Sequence, residues 1–121
     1  GNKDSHIILR GGRDGPNYEE SHILNLENTL SINSITSAVI VDCSHGNSLK
    51  QYQRQEIVAQ NVALQLQKNN KIIKGIMIES NINSGSQSLS DNLIYGVSIT
   101  DGCIDINITQ QILMDFDNFL N

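Results

Sequence analysis

The sequence predicts an α/β fold in which strands and helices alternate to build a parallel sheet, and three observations point there. Four short, nearly continuous apolar runs stand out: Ile7-Ile8-Leu9, Ala38-Val39-Ile40-Val41, residues 73–78 and residues 95–99, each bounded by polar residues or glycine. Strands buried on both faces, as in a parallel sheet, read this way. Stretches with helical spacing separate the runs, and alternation at this interval implies parallel strands joined by right-handed crossovers. Each run is followed, on its C-terminal side, by a charged or potentially ligating residue.

The elements follow in order. The first run leads into Arg10-Gly11-Gly12. After the Pro16-Asn17 breaker a helix is expected over residues 19–32, with Ile23, Leu26 and Leu30 at helical spacing. The second run leads to Asp42 and, in the next turn, His45. A long helix is expected over residues 48–68, with Ser48 as its cap and Tyr52, Ile57, Val58, Val62, Leu64 and Leu66 on its apolar side. The third run contains Lys74 and Gly75 and leads to Glu79. The polar stretch 81–91 leaves room for a short helical turn. The fourth run leads to Asp101, and residues 107–120 close the chain as a helix with Ile112, Leu113, Phe116 and Leu120 on one side. This order suits a small doubly wound sheet or part of a (β/α)8 barrel. A complete barrel takes about 250 residues, so a chain of 121 residues is read as one partial domain.

Composition removes several function classes. The net charge is -5, from 8 Lys+Arg against 13 Asp+Glu, and a nucleic-acid footprint needs a basic face. No apolar run reaches the ~18 residues of a membrane span. The polar start, Gly1-Asn2-Lys3-Asp4, has no signal-peptide character. Without an initiator Met, the chain is expected to begin after processing or inside a longer protein. Cys43 and Cys103 form no CxxC pattern and are expected to be reduced, partly buried thiols of a cytoplasmic protein.

In parallel α/β folds the strand C-termini converge on the functional site. Arg10, His45, Glu79 and Asp101 should therefore meet in space. One imidazole with two carboxylates suits a divalent ion of the Mn, Fe, Co or Zn class, with positions left open for a substrate oxygen. Taken singly, a His in a turn is ordinarily a surface or capping residue, and a carboxylate after a strand is ordinarily a cap or solvated. Four such residues at four successive strand ends make a stronger case. Arg10-Gly11-Gly12 reads as an anion site, because Arg offers a fork of donors and glycine lets backbone N–H groups approach an anion. Glycine after a strand is also ordinary loop chemistry. Lys50 adds positive potential or is a solvated helix lysine; His6 and His22 have no partner pattern.

The same residues resemble class I 3-deoxy-D-arabino-heptulosonate 7-phosphate (DAHP) synthase, also called phospho-2-dehydro-3-deoxyheptonate aldolase. Residues 6–12 (HIILRGG) with Pro16-Asn17-Tyr18, residues 42–51 (DCSHGNSLKQ), residues 75–81 (GIMIESN) and residues 95–104 (YGVSITDGCI) match its wording in order, and the similarity runs from Gly1 to the last helix. The resemblance implies the C-terminal half of a (β/α)8 TIM barrel, strands five to eight with their helices. It implies condensation of phosphoenolpyruvate with D-erythrose 4-phosphate and water to give DAHP and phosphate, the first step of the shikimate pathway to aromatic amino acids. His45, Glu79 and Asp101 are the implied metal ligands. Arg10, His45 and Asp101 are the implied substrate contacts, and His45 is the catalytic residue beside phosphoenolpyruvate. The family's cysteine ligand and its lysine- and arginine-bearing motif belong to an earlier segment and have no counterpart here. The implied partners are therefore the N-terminal half of the barrel and, in a homo-oligomer, further copies; the fragment alone is expected to be inactive. Three positions depart from the wording: Gly102 stands where Ala is common, and Asp105-Ile106 where Gly-Trp is often found. The alternative is a small phosphate- or metal-binding, non-catalytic α/β domain, which need not bring Glu79 and Asp101 together.

Overall fold

A computed structural model describes Asn2 and residues 4–120. The elements are β1 (His6–Leu9), α1 (Glu20–Ile32), β2 (Ala38–Asp42), a 3-10 turn (Tyr52–Arg54), α2 (Gln55–Gln67), β3 (Ile73–Met77) and α3 (Ile106–Leu120). The three strands form one parallel sheet in sequence order. Val39 lies opposite Ile73 and Ile40 opposite Gly75. Lys74 is therefore a bulged extra residue, and its charged side chain is exposed.

Pairing fixes which side chains share a face. Ile7 and Leu9, Val39 and Val41, and Ile73 and Ile76 point one way. Ile23 from α1, Val58, Ala59 and Val62 from α2, and Ile112 from α3 join them in one buried cluster. All three helices thus cover the same side. The other side carries Ile8, which is 53% exposed, with Ile40 and Met77 half-buried. No helix among the described residues is long and apolar enough to cross a membrane.

Several expectations are corrected. Residues 95–99 do not form a fourth strand: Gly96 has φ +78, which interrupts an extended run, and only Ser98 bridges, to Ser86. Asn83 and Gln87 side chains instead hold this segment, through bonds to the Tyr95, Ile94 and Val97 carbonyls. The pairing beyond β3 is made by Ile104, in a parallel bridge to Ser80. No helical turn forms in 81–91, where Gly85 and Ser86 bridge to Cys103 and Ser98. Helix α2 does not start at Ser48, because Leu49 and Lys50 have φ +55 and +58. Ser48 donates its hydroxyl to the His45 carbonyl rather than capping. Ile57, Leu64 and Leu113 are exposed, while Gln55, Ala59, Ala63 and Gln65 fill the buried side of α2. The side chain of Leu120 lies outside the described part of the chain. Asp105 caps α3, its carboxylate accepting from the Asn107 and Ile108 N–H groups at 2.9 and 3.0 Å.

The sheet's C-terminal edge is tied by Asn47, which is fully buried. Its amide donates to the Leu9 carbonyl at 3.0 Å and the Asp42 carbonyl at 2.8 Å, and its oxygen accepts from Asn17 N–H at 2.8 Å. Asn17 in turn accepts from Gly11 N–H at 2.8 Å. Gly11 and Gly46 are pressed together: a Cβ on Gly11 would meet Gly46 backbone at 2.6 Å, and Gly11 has φ +82. Both positions exclude any side chain.

Two outcomes are expected. Asn47→Ala strands two buried carbonyls and one N–H, so urea unfolding should show a loss on the order of 2–5 kcal/mol; a loss under about 0.5 kcal/mol would contradict this role. Burial pushes the Cys43 thiol from 9.0 up to about 12, with the Asp42 charge adding to the rise. A raised folded value means the neutral thiol's contribution is whole below pH 9.0 and fades as pH climbs towards about 12. The full loss is on the order of 4 kcal/mol. The alkaline fall in stability should be shallower in Cys43→Ala than in the wild type; identical slopes would show that the thiol does not contribute.

Candidate metal centre

The turn after β2 presents His45 with φ +44, a left-handed conformation that costs a non-glycine residue on the order of 1 kcal/mol or more. The ring is oriented by Asp42, whose buried carboxylate lies 2.7 Å from Nδ1. A carboxylate only accepts, so Nδ1 carries a proton, and Nε2 is the ring nitrogen turned to the cleft. The other Asp42 oxygen accepts from Ser44 N–H at 2.8 Å, which locks the carboxylate to the turn.

Glu79 follows β3. Its backbone is gripped by the buried side chain of Gln55, which accepts from Glu79 N–H at 2.7 Å and donates to the Glu79 carbonyl at 3.1 Å. Ser44 hydroxyl donates to Oε2 at 2.6 Å, leaving Oε1 turned to the cleft. His45 Nε2 lies 3.7 Å from Glu79 Oε1 and 4.0 Å from Asp101 Oδ2. The three donor atoms all sit within 4.8 Å of one another. Asp101 differs from the other two: its side chain is 73% exposed, and among the described residues only His45 meets its carboxylate.

The cleft between them has a volume of about 60 Å³. That is room for an ion with water beside it, since about 10–15 Å³ of such space holds one water. Ser44, Lys50, Tyr52 and Gly102 complete its wall. Donors about 2.0–2.2 Å from a shared ion stand roughly 3.0–3.5 Å apart, so small side-chain adjustments would close this set on one. The donors and their spacing fit a divalent cation.

The structure brings His45, Glu79 and Asp101 together, Asp101 from a loop rather than from the end of the expected fourth strand. Arg10 stands at the same sheet edge, with its carbonyl accepting from Gly46 N–H at 3.0 Å, but its exposed side chain is outside the cleft wall. Lys50 is both exposed and part of that wall. His6 and His22 are exposed and distant in the sequence from the cleft residues. Cys43 and Cys103 are free and buried, and neither lines the cleft. Sequence reasoning missed Ser44, Gln55 and Tyr52. It singled out Asp42 without its partner, although the Asp42–His45 spacing in a turn was a usable signal.

Comparison with known proteins bears on the chain as a whole. The DAHP synthetase I family model matches residues 1–114. The Tyr-sensitive phospho-2-dehydro-3-deoxyheptonate aldolase of Escherichia coli is 43% identical over 124 residues, covering 100% of this chain and 35% of that protein. The tyrosine-inhibited enzyme of Schizosaccharomyces pombe is 42% identical, over 95% of this chain and 32% of its own. The solved structure of the Francisella tularensis aldolase superposes with a TM-score of 0.94 at 37% identity, covering 99% of this chain and 35% of that one. The chain spans about a third of the length of these relatives. With a family match across nearly its whole length, the chain belongs to the DAHP synthetase I family.

Proposed function

We propose that this chain supplies the metal-binding part of an active site that joins phosphoenolpyruvate to D-erythrose 4-phosphate and water, yielding DAHP and phosphate, in the longer protein of which its relatives are examples. The observation that carries the reading is the convergence of His45, Glu79 and Asp101, from three separate segments, on one cleft. The donor set suits Mn, Fe, Co or Zn. A divalent ion bound there would supply Lewis acidity to the aldehyde oxygen of erythrose 4-phosphate.

The chain's own residues do the holding. Asp42 keeps the proton on Nδ1, so His45 offers Nε2 as a ligand and presents its ring beside phosphoenolpyruvate. Ser44 occupies one Glu79 oxygen and frees the other. Arg10, at the same edge, offers a fork of donors to the carboxylate or phosphate of phosphoenolpyruvate. Asp101 is the most open ligand and the one nearest to solvent-borne substrate. A non-catalytic anion-binding domain has no need for Glu79 and Asp101 to meet, and their meeting favours the enzyme.

The fold reading that accompanies this function is the C-terminal half of a (β/α)8 barrel. Its support is a parallel sheet with every helix on one face and a partly open apolar face, Ile8, Ile40 and Met77, on the other. A barrel interior is packed by side chains from all its strands. The remaining strands of the longer protein would cover that face, within a homo-oligomer, and two free thiols suit a cytoplasmic setting.

Calorimetric titration with Mn²⁺ or Co²⁺ tests the site. Binding is expected in the wild type and should be abolished in His45→Ala; Asp42→Asn should weaken it about 10- to 100-fold by releasing the ring. Binding unchanged in both variants would refute the assignment. A second expectation concerns the uncovered face. The 121-residue chain, studied by light scattering after size exclusion, should self-associate, and Ile8→Lys should reduce that association. A dilute, cooperatively unfolding monomer would show that the sheet needs no cover.

A further inference from the structure

Two side chains from the 3-10 turn and the start of α2 reach the segments that carry Glu79 and Asp101. Gln55 clamps the backbone of Glu79, as described above. Tyr52, one turn earlier, reaches the segment that bears Asp101. Its ring lies directly over Gly102: a Cβ there would stand 2.6 Å from Tyr52 Cδ1 and 3.3 Å from Cγ. The far end of the ring, the hydroxyl, is 3.8 Å from the place where a Cβ on Gly85 would be. Gly85 and Cys103 exchange backbone hydrogen bonds at 2.9 and 3.1 Å. The ring therefore backs the isolated Gly85–Cys103 bridge of the loop, with Gly102 against its inner end. It also forms part of the cleft wall beside His45 and Glu79.

Gly102 is not among the residues of positive φ. Its backbone would accept alanine, and the obstacle to a side chain is the ring of Tyr52. Asp101 has no hydrogen bond to its carboxylate among the described residues, so its aim depends on where its backbone is held. We propose that Tyr52 is a positioning residue: its ring, seated on Gly102, sets the distance of the Asp101 carboxylate from His45 and Glu79. Glycine at 102 is then the complement of tyrosine at 52, and the two loops that carry His45 and Asp101 are coupled through one aromatic contact. The proposal rests on the reading of the cleft as a metal site.

Two measurements test it on the full chain. In Co²⁺ titration, Tyr52→Phe should keep wild-type affinity, because the ring and not the hydroxyl does the work. Tyr52→Ala and Gly102→Ala should each weaken binding by about tenfold or more. The double variant should be no weaker than Tyr52→Ala alone, since the added methyl no longer meets a ring; residues in contact are non-additive in this way. Single-variant affinities within about threefold of wild type, or losses that multiply in the double variant, would overturn the proposal.

The second measurement needs no metal. Amide exchange at Gly85 and Cys103 should quicken in Tyr52→Ala and not in Tyr52→Phe, while Val41 in the sheet keeps its protection, which separates loop release from global unfolding. If the wild type takes up no Co²⁺ but exchange follows this pattern, the metal reading fails and the Tyr52–Gly102 contact stands as a loop fastener. Unchanged exchange in Tyr52→Ala overturns the contact's role as well.

Discussion

Asn47 bonds to three backbone segments at once, and the site depends on that junction. Through the Leu9 and Asp42 carbonyls it fastens the ends of β1 and β2 to each other. Through Asn17 it draws in the segment between β1 and α1. A parallel pair has no hairpin to set the relative height of its strand ends. Asn47 supplies that registration, and the close approach of Gly11 and Gly46 leaves the two turns one way to fit. His45 sits two residues before this knot and adopts a left-handed conformation that the knot and the Asp42 contact together impose.

From that anchor the site is assembled by side chains that hold backbone rather than by strands alone. Gln55 behaves towards Glu79 as a neighbouring strand would, accepting one N–H and donating to one carbonyl. Ser44 joins the His45 turn to the Glu79 carboxylate. Burying Asp42, Asn47, Ser48 and Gln55 is tolerable because each has hydrogen-bond partners. An unpaired polar group in the same position would cost on the order of 1–3 kcal/mol.

The parts of this arrangement that sequence makes legible are those governed by periodicity and by topology. The strands from His6, Ala38 and Ile73 read correctly because one face of each is buried in an apolar cluster. The meeting of His45 and Glu79 is legible because parallel strands deliver their C-termini to one edge, whereas Asp101 arrives on a loop that the expected fourth strand does not describe. The segment 95–99 misled because its apolar residues imitate a strand while Gly96 turns the chain. The helix at Ser48 misled because positive φ at Leu49 and Lys50 leaves no trace in side-chain type. Contacts such as Gln55 with Glu79, or the tyrosine ring over Gly102, join residues far apart in the chain and carry no repeat that a single sequence displays.

The loop between Glu79 and α3 has a different character from the rest of the molecule, and this bears on the order in which the site assembles. It contains only isolated bridges, and its fastenings are amide side chains such as Asn83 and Gln87. Ile82, Leu89, Ile94 and Tyr95 stay exposed, and its apolar burial is concentrated at its end, in Cys103 and Ile104. Segments of this kind open at lower free energy than a sheet. His45 and Glu79 follow β2 and β3, whereas Asp101 is carried by the loop, so an opening of the loop would part Asp101 from the other two. On the metal reading proposed above, an ion would find two of its ligands at strand ends and the third on a loop.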